Sequence, residues 1–376
     1  MKTKEKTFSN RNKKLDVGAG HFCAATPHLA QRVTGNDCGK SRESLTWSEV
    51  KDFHPYGPLR NAHLMTIAAA FWPREYLRLP AGVARLFEIE PGTQVRGECH
   101  WQQEPRAHST IVLLHGLEGS TNSSYMLGTA EKAFVAGFNV VRLNQRNCGG
   151  TESLTPTLYH SGLSGDIRFV VLELIERDGL PEVFAAGFSM GGNLVLKMAG
   201  EFEDAAPVEL RGYVAIAPAM DLEACAGALE SPRNFIYERR FVRGLKRRMQ
   251  HKASLFPGRY PLNGLERVRS VREFDDAITA KFCGFTSAAD YYARSSANRV
   301  LTGIRRPTLI IAAQDDPVVP FVSFGAPALR ENPNITLVAP RHGGHCGFIS
   351  RESGEDRFWC EARIVEFCKS KSTVKM

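Results

Sequence analysis

No run of about 18 consecutive apolar residues occurs in the 376-residue chain, so no transmembrane helix is predicted. The first twelve residues are polar and Lys-rich and lack the apolar core of a signal peptide, so a cytoplasmic protein is expected. The nine cysteines stand at positions 23, 38, 99, 148, 225, 283, 346, 360 and 368, with no Cys-x-x-Cys and no close-spaced framework. Free thiols in a reducing compartment follow, and a disulfide scaffold does not. Residues 1 to about 50 have little hydrophobic periodicity and read as a mobile N-terminal extension. His21, Cys23 and His28 lie there without a second ligand pair nearby, so no metal site is expected. What the chain does have is a hydrophobic content of 43%, enough for one large α/β domain with an insertion over residues 51–376.

One stretch organises that domain. Pro181-Glu182-Val183-Phe184 reads as a strand, Leu194 to Ala199 as the start of an apolar-faced helix, and Ala185 to Asn193, with Gly187-Phe188-Ser189-Met190-Gly191 at its centre, lies between them. A Gly-x-Ser-x-Gly in that setting is the nucleophile-elbow pattern, in which small flanking residues let a strained turn lift the serine Oγ to a helix N-terminus. Ser189 is therefore the candidate nucleophile. Upstream, Thr110 to Leu114 is a continuous apolar run, as a strand buried on both faces requires, and it ends in His115-Gly116-Leu117. The backbone N–H groups of Leu117 and Met190 are the candidate oxyanion donors, one from each loop. His115 in this position is expected to support its loop. Cys148 could be a nucleophile only with a histidine beside it.

The remaining strands and helices alternate. Tyr76 to Leu79 and Leu86 to Ile89 read as opening strands, with Gln94 to Trp101 as their antiparallel partner. Further strands are expected at Phe138 to Leu143, Glu209 to Ala217, Pro307 to Ala313 and Ile335 to Val338, with helices at Asn122 to Ala136, Asp166 to Ile175 and Phe358 to Phe367. A doubly wound, mostly parallel α/β sheet follows. Residues 222–297 break the alternation and read as a helical cap inserted where pockets of such sheets open, able to wall an acyl pocket. The cap is also where charge gathers. Twelve Lys/Arg against two Glu lie between Ser231 and Arg272, a local +10 against +8 for the whole chain. A solvated face, an anionic membrane surface and nucleic acid are the readings of it, the last without a recognised motif.

Two acids follow the late strand at Pro307 to Ala313. Asp316, just before Pro317-Val318-Val319-Pro320, is the chosen partner for a base, with Asp315 as the alternative; Asp221, after an earlier strand, is a further candidate. His345 on the loop His342-Gly343-Gly344-His345 is the chosen base, with His342 as the alternative. The chain order Ser, Asp, His is that of the α/β-hydrolases.

These stretches, with Leu59-Arg60-Asn61-Ala62-His63-Leu64-Met65-Thr66-Ile67, Tyr159-His160-Ser161-Gly162, Phe274-Asp275-Asp276-Ala277-Ile278-Thr279-Ala280 and Ala289-Asp290-Tyr291-Tyr292, carry a wider likeness. Over residues 52 to 370 the chain resembles the YheT-like branch of the α/β-hydrolases, a group of serine esterases and phospholipases. The resemblance implies a triad of Ser189, Asp316 and His345 and hydrolysis of acyl esters, with no metal or organic cofactor. Met65 stands where the family commonly has Gln, which is expected to alter the pocket entrance. Met190 replaces a common Leu, leaving the backbone N–H intact. The function expected is a serine ester hydrolase acting on lipid-like acyl esters, with peripheral contact to an anionic membrane surface and no nucleic-acid partner. Phospholipase action, acyl transfer to an alcohol, and a non-catalytic binding protein using the basic cap are the alternatives.

Overall fold

The apolar runs of the sequence form the middle of one sheet. β3 (Thr110–Leu114), β4 (Asn139–Leu143) and β5 (Val183–Phe188) are buried at every position, as strands covered by helices on both faces must be. Beside them lie β6 (Leu210–Ile216), β7 (Thr308–Ile311) and β8 (Ile335–Val338), and at the opposite edge β1 (Val83–Glu90) and β2 (Thr93–His100). The computed structural model describes residues 50–374. The extension expected over residues 1–50, with His21, Cys23 and His28, falls outside them but for its last residue.

The strand order is β1-β2-β4-β3-β5-β6-β7-β8. β1 pairs antiparallel with β2, and β2 antiparallel with β4; all other neighbours are parallel. β3 has β4 on one side and β5 on the other, so the loops leaving β3 and β5 part at a switch point. That is where an open α/β sheet forms its ligand crevice. The expected strand at Tyr76 to Leu79 is not formed. The segment is a turn closed by Leu79 N–H to Tyr76 O and stopped by Pro80, and Leu77 there is 85% exposed. Its aromatic content serves a different contact, Tyr76 OH donating to Ser124 O.

Helices α2 (Ser124–Val135) and α11 (Trp359–Lys371) pack against each other, as do α3 (Ser164–Glu176) and α4 (Met190–Phe202). A short α1 (Ala62–Phe71) precedes the sheet. Between β6 and β7 the chain is helical, as the broken alternation predicts: α5 (Leu222–Leu229), α6 (Phe235–Leu255), α7 (Val271–Phe274), a π-helical segment Asp275–Ala280, α8 (Lys281–Cys283) and α9 (Ala288–Ser295). α10 (Pro327–Glu331) follows β7. Asn193 on α4 stitches this insertion to the elbow helix. Its Nδ2 donates to Ser161 O and Ser295 O, both at 2.9 Å, and its Oδ1 accepts from Ala297 N–H. A fully buried amide is satisfied only with all three partners in place, so it sets the register of wall, cap and elbow together.

Among the described residues, no helix is long and apolar enough to cross a membrane, and no cluster of three or more His, Cys, Asp or Glu side chains could hold a metal ion. The seven described cysteines are free thiols.

Candidate functional site

Two loops meet above the switch point because their glycines permit it. In the β5–α4 turn, a Cβ on Gly187 would collide with the backbone of Gly191, and one on Gly191 with the carbonyls of Leu114 and His115. Between them Ser189 takes φ 53° and ψ −117°, a strained conformation for a residue with a side chain. This turn puts the Ser189 side chain at the N-terminus of α4, only partly buried, facing a cavity.

Two acid–histidine pairs lie at the ends of β7 and β8, and they do different things. His345 Nε2 is 3.0 Å from Ser189 Oγ, and its Nδ1 is 2.9 Å from Asp316 Oδ2. The other oxygen of Asp316 accepts the Val318 and Val319 N–H groups at 2.8 and 2.9 Å, and the side chain is 2% exposed. Two main-chain donors hold this carboxylate in one orientation. His342 Nδ1 pairs instead with Asp315 Oδ2 at 3.2 Å, and Asp315 Oδ1 accepts from Gly344 N–H. That pair ties down the loop bearing His345. Asp221 is likewise committed elsewhere, capping α5 through Ala224 N–H.

His345 is also held from α1. Its N–H donates to Thr66 Oγ1 at 2.8 Å, and that hydroxyl donates to Ala62 O. Met65, next along the helix, is fully buried under the same loop, where its sulfur accepts from Ile349 N–H. The expectation that Met65 alters the pocket entrance is corrected by this: it packs beneath the histidine loop and does not line the cavity. His63 stacks on Tyr237 and hydrogen-bonds its OH, also away from the cavity lining.

The β3 loop is built from a neutral histidine. His115 is fully buried; its Nδ1 donates to Gly116 O at 2.8 Å and its Nε2 accepts from Gln145 N–H at 3.1 Å. Burial pulls its pKa down to about 4, and both ring nitrogens are occupied, so it supports the loop and cannot serve as a base. Tyr125 OH accepts from Gly116 N–H. The loop then passes so near the elbow that a Cβ on Gly116 would sit 3.1 Å from that of Ser189. Leu117 and Met190 both line the cavity with Ser189. Among the described residues, neither of their N–H groups is spent on another acceptor. Among the described residues no hydrogen bond joins the Cys148 thiol to a histidine, and burial pushes that thiol up to about 12.

The cavity runs from Ser189 under the cap, with a volume of about 110 Å³. That is roughly eight times what one water needs on the same measure, so it is a ligand space and not a packing defect. Its apolar wall comes chiefly from the cap: Leu222, Leu229, Phe241, Leu245, Met249 and Phe274. Val318 closes the wall beside Asp316.

Polar residues to which the sequence assigned no role line the rest, among them Asn147, Tyr159, Arg248, Lys252 and Asp275, with Glu118 bonded to them from outside the lining. Glu118, next to Leu117 and at φ 57°, accepts from Tyr159 OH and from Arg248 Nε, each at 2.8 Å. Arg248 also donates to Asn147 O, while Lys252, one turn on, donates to Asn147 Oδ1, Glu152 O and Thr155 O. Two of the twelve cap cations are therefore buried anchors of α6. Asp275, in the π-helical segment, accepts from Thr279 and Tyr292 hydroxyls, and burial raises its carboxyl to about 6. Tyr159 and Asp275 stand in the quoted motifs and Arg248 and Lys252 in the basic segment, but neither signal indicates a partner.

A hydroxyl, an imidazole and a carboxylate in this order can pass a proton from oxygen to nitrogen, beside two free N–H groups and an apolar cavity. Comparison with known proteins agrees with this architecture. Residues 109–352 match the family model described as alpha/beta hydrolase fold. The chain is 33% identical over 326 residues to the Escherichia coli protein named "Putative esterase YheT", covering 85% of this chain and 94% of that one. It is 30% identical over 241 residues to "Phospholipase ABHD3" of Mus musculus, covering 64% of this chain and 58% of that one. Among solved structures, the 2,6-dihydroxy-pseudo-oxynicotine hydrolase superposes with a TM-score of 0.53 at 16% identity, covering 83% and 72% of the two chains, a likeness of fold. The chain belongs to the α/β-hydrolase fold family, on the branch that includes YheT.

Proposed function

We propose that the protein is a serine hydrolase of carboxylic esters, with a lipid-like acyl ester as substrate. The observation that carries this reading is the unbroken chain Asp316–His345–Ser189, at 2.9 and 3.0 Å, opening into an apolar cavity walled by the cap. His345 Nε2 takes the Ser189 proton as Oγ adds to the ester carbonyl carbon. Asp316, bonded to Nδ1–H, holds the reactive tautomer and stabilises the imidazolium. The oxyanion is held by the N–H groups of Leu117 and Met190, each donor contributing about 3 kcal/mol in sites of this kind. The tetrahedral adduct collapses with cleavage of the alkoxy C–O bond, and His345 returns its proton to the leaving alcohol. Water then attacks the acyl-enzyme by the same route, freeing the acid and restoring Ser189. No step calls on a cofactor. The names of the relatives, an esterase and a phospholipase, support the reaction class. A lipid-like ester resides in a bilayer, and peripheral contact with an anionic membrane surface belongs to the same reading.

The test is hydrolysis of p-nitrophenyl esters from acetyl to palmitoyl, with fluorophosphonate labelling, in the wild type and Ser189→Ala. Turnover and labelling should both vanish in the variant, and the chain-length optimum should lengthen the rate profile beyond acetyl. A folded wild type that neither turns over esters nor labels would sink the proposal.

A further inference from the structure

The twelve cations of the cap segment divide once they are folded. Arg248 and Lys252 are buried anchors, Arg272 pairs with Glu223 and Glu230, Arg267 pairs with Glu266, and Lys246 and Arg269 donate to Glu266 O. Six remain: Arg233 before α6, Arg259 after it, whose guanidinium lies 5.9 Å from the Tyr260 ring centre, and on α6 itself the four arginines Arg239, Arg240, Arg243 and Arg247. Among the described residues none of these four has a carboxylate within 4.0 Å. At about 100° per residue they fall within a ~100° arc of α6, and all four are exposed. Phe235 and Ile236, in the first turn of α6, share that face and are 58% and 68% exposed. The cavity-lining residues Phe241, Leu245 and Met249 occupy the opposite face.

The neighbouring α1 is amphipathic in the inverted sense. Leu64, Ile67 and Phe71, at i, i+3 and i+7, form a narrow stripe that is 53%, 40% and 68% exposed, and Arg60 extends it by one turn. The two helices are adjacent. The Arg240 guanidinium lies 5.6 Å from the Phe71 ring centre, and His63 stacks on Tyr237 at 5.7 Å. Of the twelve large apolar side chains exposed on the described protein, five belong to this face, which is more than scattered surface residues would place there. Glu238 on α6 turns its carboxylate to Val271 N–H, and exposed Glu75 lies beyond the end of the α1 stripe.

We propose that this face of α1 and α6 docks on an anionic lipid bilayer. The α1 stripe, with Phe235 and Ile236, enters the interfacial region, and the four unpaired arginines lie at the level of the lipid phosphates. Apolar side chains beside a row of cations are the composition that binds at a membrane interface. Both helices also serve the site: α1 holds the His345 loop through Thr66, and the inner face of α6 walls the cavity. Docking therefore sets the cavity against the surface where a lipid-like ester resides. This deepens the esterase reading by naming where substrate is met, but adhesion needs no turnover, so the two stand or fall separately.

The test is flotation of the full chain with vesicles of phosphatidylcholine alone and of phosphatidylcholine mixed with phosphatidylglycerol, at low and high salt. Binding is expected to the anionic vesicles only, to weaken with salt, and to be the same for Ser189→Ala. Replacing the four arginines with glutamine should weaken it at least about a hundredfold, since each cation near an anionic surface is worth roughly a factor of five. Phe71→Ser combined with Ile236→Ser should weaken it at least about tenfold at unchanged charge. Hydrolysis of a short, water-soluble p-nitrophenyl ester should be unaltered in both variants, showing that they fold. Failure of the wild type to float with anionic vesicles overturns the proposal. So does binding that ignores the Phe71/Ile236 change and is matched by an RNA oligomer, which would make the face a general polyanion binder.

Discussion

Asp315 and Asp316 are adjacent in the chain and share a residue type, yet each takes a different histidine. Asp316 is nearly dry and fixed by two N–H groups, whereas His342 beside Asp315 is 43% exposed. Asp316→Asn should therefore lower kcat by about 10⁴ with little change in KM, because the amide favours the wrong imidazole tautomer. Asp315→Asn and His342→Ala should each cost far less, since they loosen the loop without removing a group from the reacting chain. Steady-state kinetics on one ester separates these outcomes. Equal losses at Asp315 and Asp316 would reverse the proposed roles. Gly191→Ala meets two carbonyls at the foot of the elbow, so its expected result is loss of fluorophosphonate labelling together with a lower Tm.

At the scale of elements, α6 is pressed directly onto the loop that carries the Leu117 N–H. A Cβ on Gly244 would lie 2.5 Å from Glu118 Oε2, and Arg248 binds the same carboxylate. The position of the cap is thereby transmitted to the residue next to the proposed oxyanion donor. Arg248→Met leaves Glu118 half-satisfied in a buried setting, a change that costs about 3–5 kcal/mol when the pair is fully buried and less here, where both side chains are 16% exposed. The expected signature is a kcat lowered more than KM is raised, along with a lower Tm. A variant that loses stability but keeps kcat would reduce the network to a cap anchor alone. A second buried cluster joins other elements: Arg74 grips Glu361 of α11 with two bonds of 2.6 and 2.7 Å, and Lys132 of α2 adds a third at 2.8 Å. Glu361→Ala would strand both cations, and equilibrium denaturation should show a loss of several kcal/mol with ester hydrolysis per folded molecule retained.

For the molecule as a whole, three histidines are kept neutral. Burial pulls His100, His115 and His160 each down to about 4. At His100 the Arg142 guanidinium donates to Nε2, which leaves that nitrogen no room for a proton. The unfolded chain binds protons at these sites near pH 6.5 and the folded chain does not, so stability is present above pH 6.5 and is lost as pH falls toward 4. For fully buried His115 alone the window is worth up to about 3 kcal/mol. Asp275, raised to about 6, works in the opposite sense over part of the range, one group against three. Thermal melts between pH 7 and 4 should show a steadily falling Tm, and a flat profile would mean that these rings accept protons in the folded state.

Strands were legible where an apolar run exceeded what one buried face needs, as at Thr110 to Leu114, and the elbow was legible because its steric demand leaves a fixed spacing of glycines around Ser189. Tyr76 to Leu79 misled because exposed and buried apolar residues look alike in a short segment, and only the Pro80 stop and the Ser124 contact make it a turn. The sequence by itself determined the sheet, the helical insertion and a short list of chemical groups, since these follow from local periodicity and from residue type. Tertiary structure decided which acid meets which histidine, which N–H groups stay free, and which of the cap's cations are anchors and which face outward. Those choices depend on distances between groups as much as 156 positions apart, such as Ser189 and His345, and no local pattern records them.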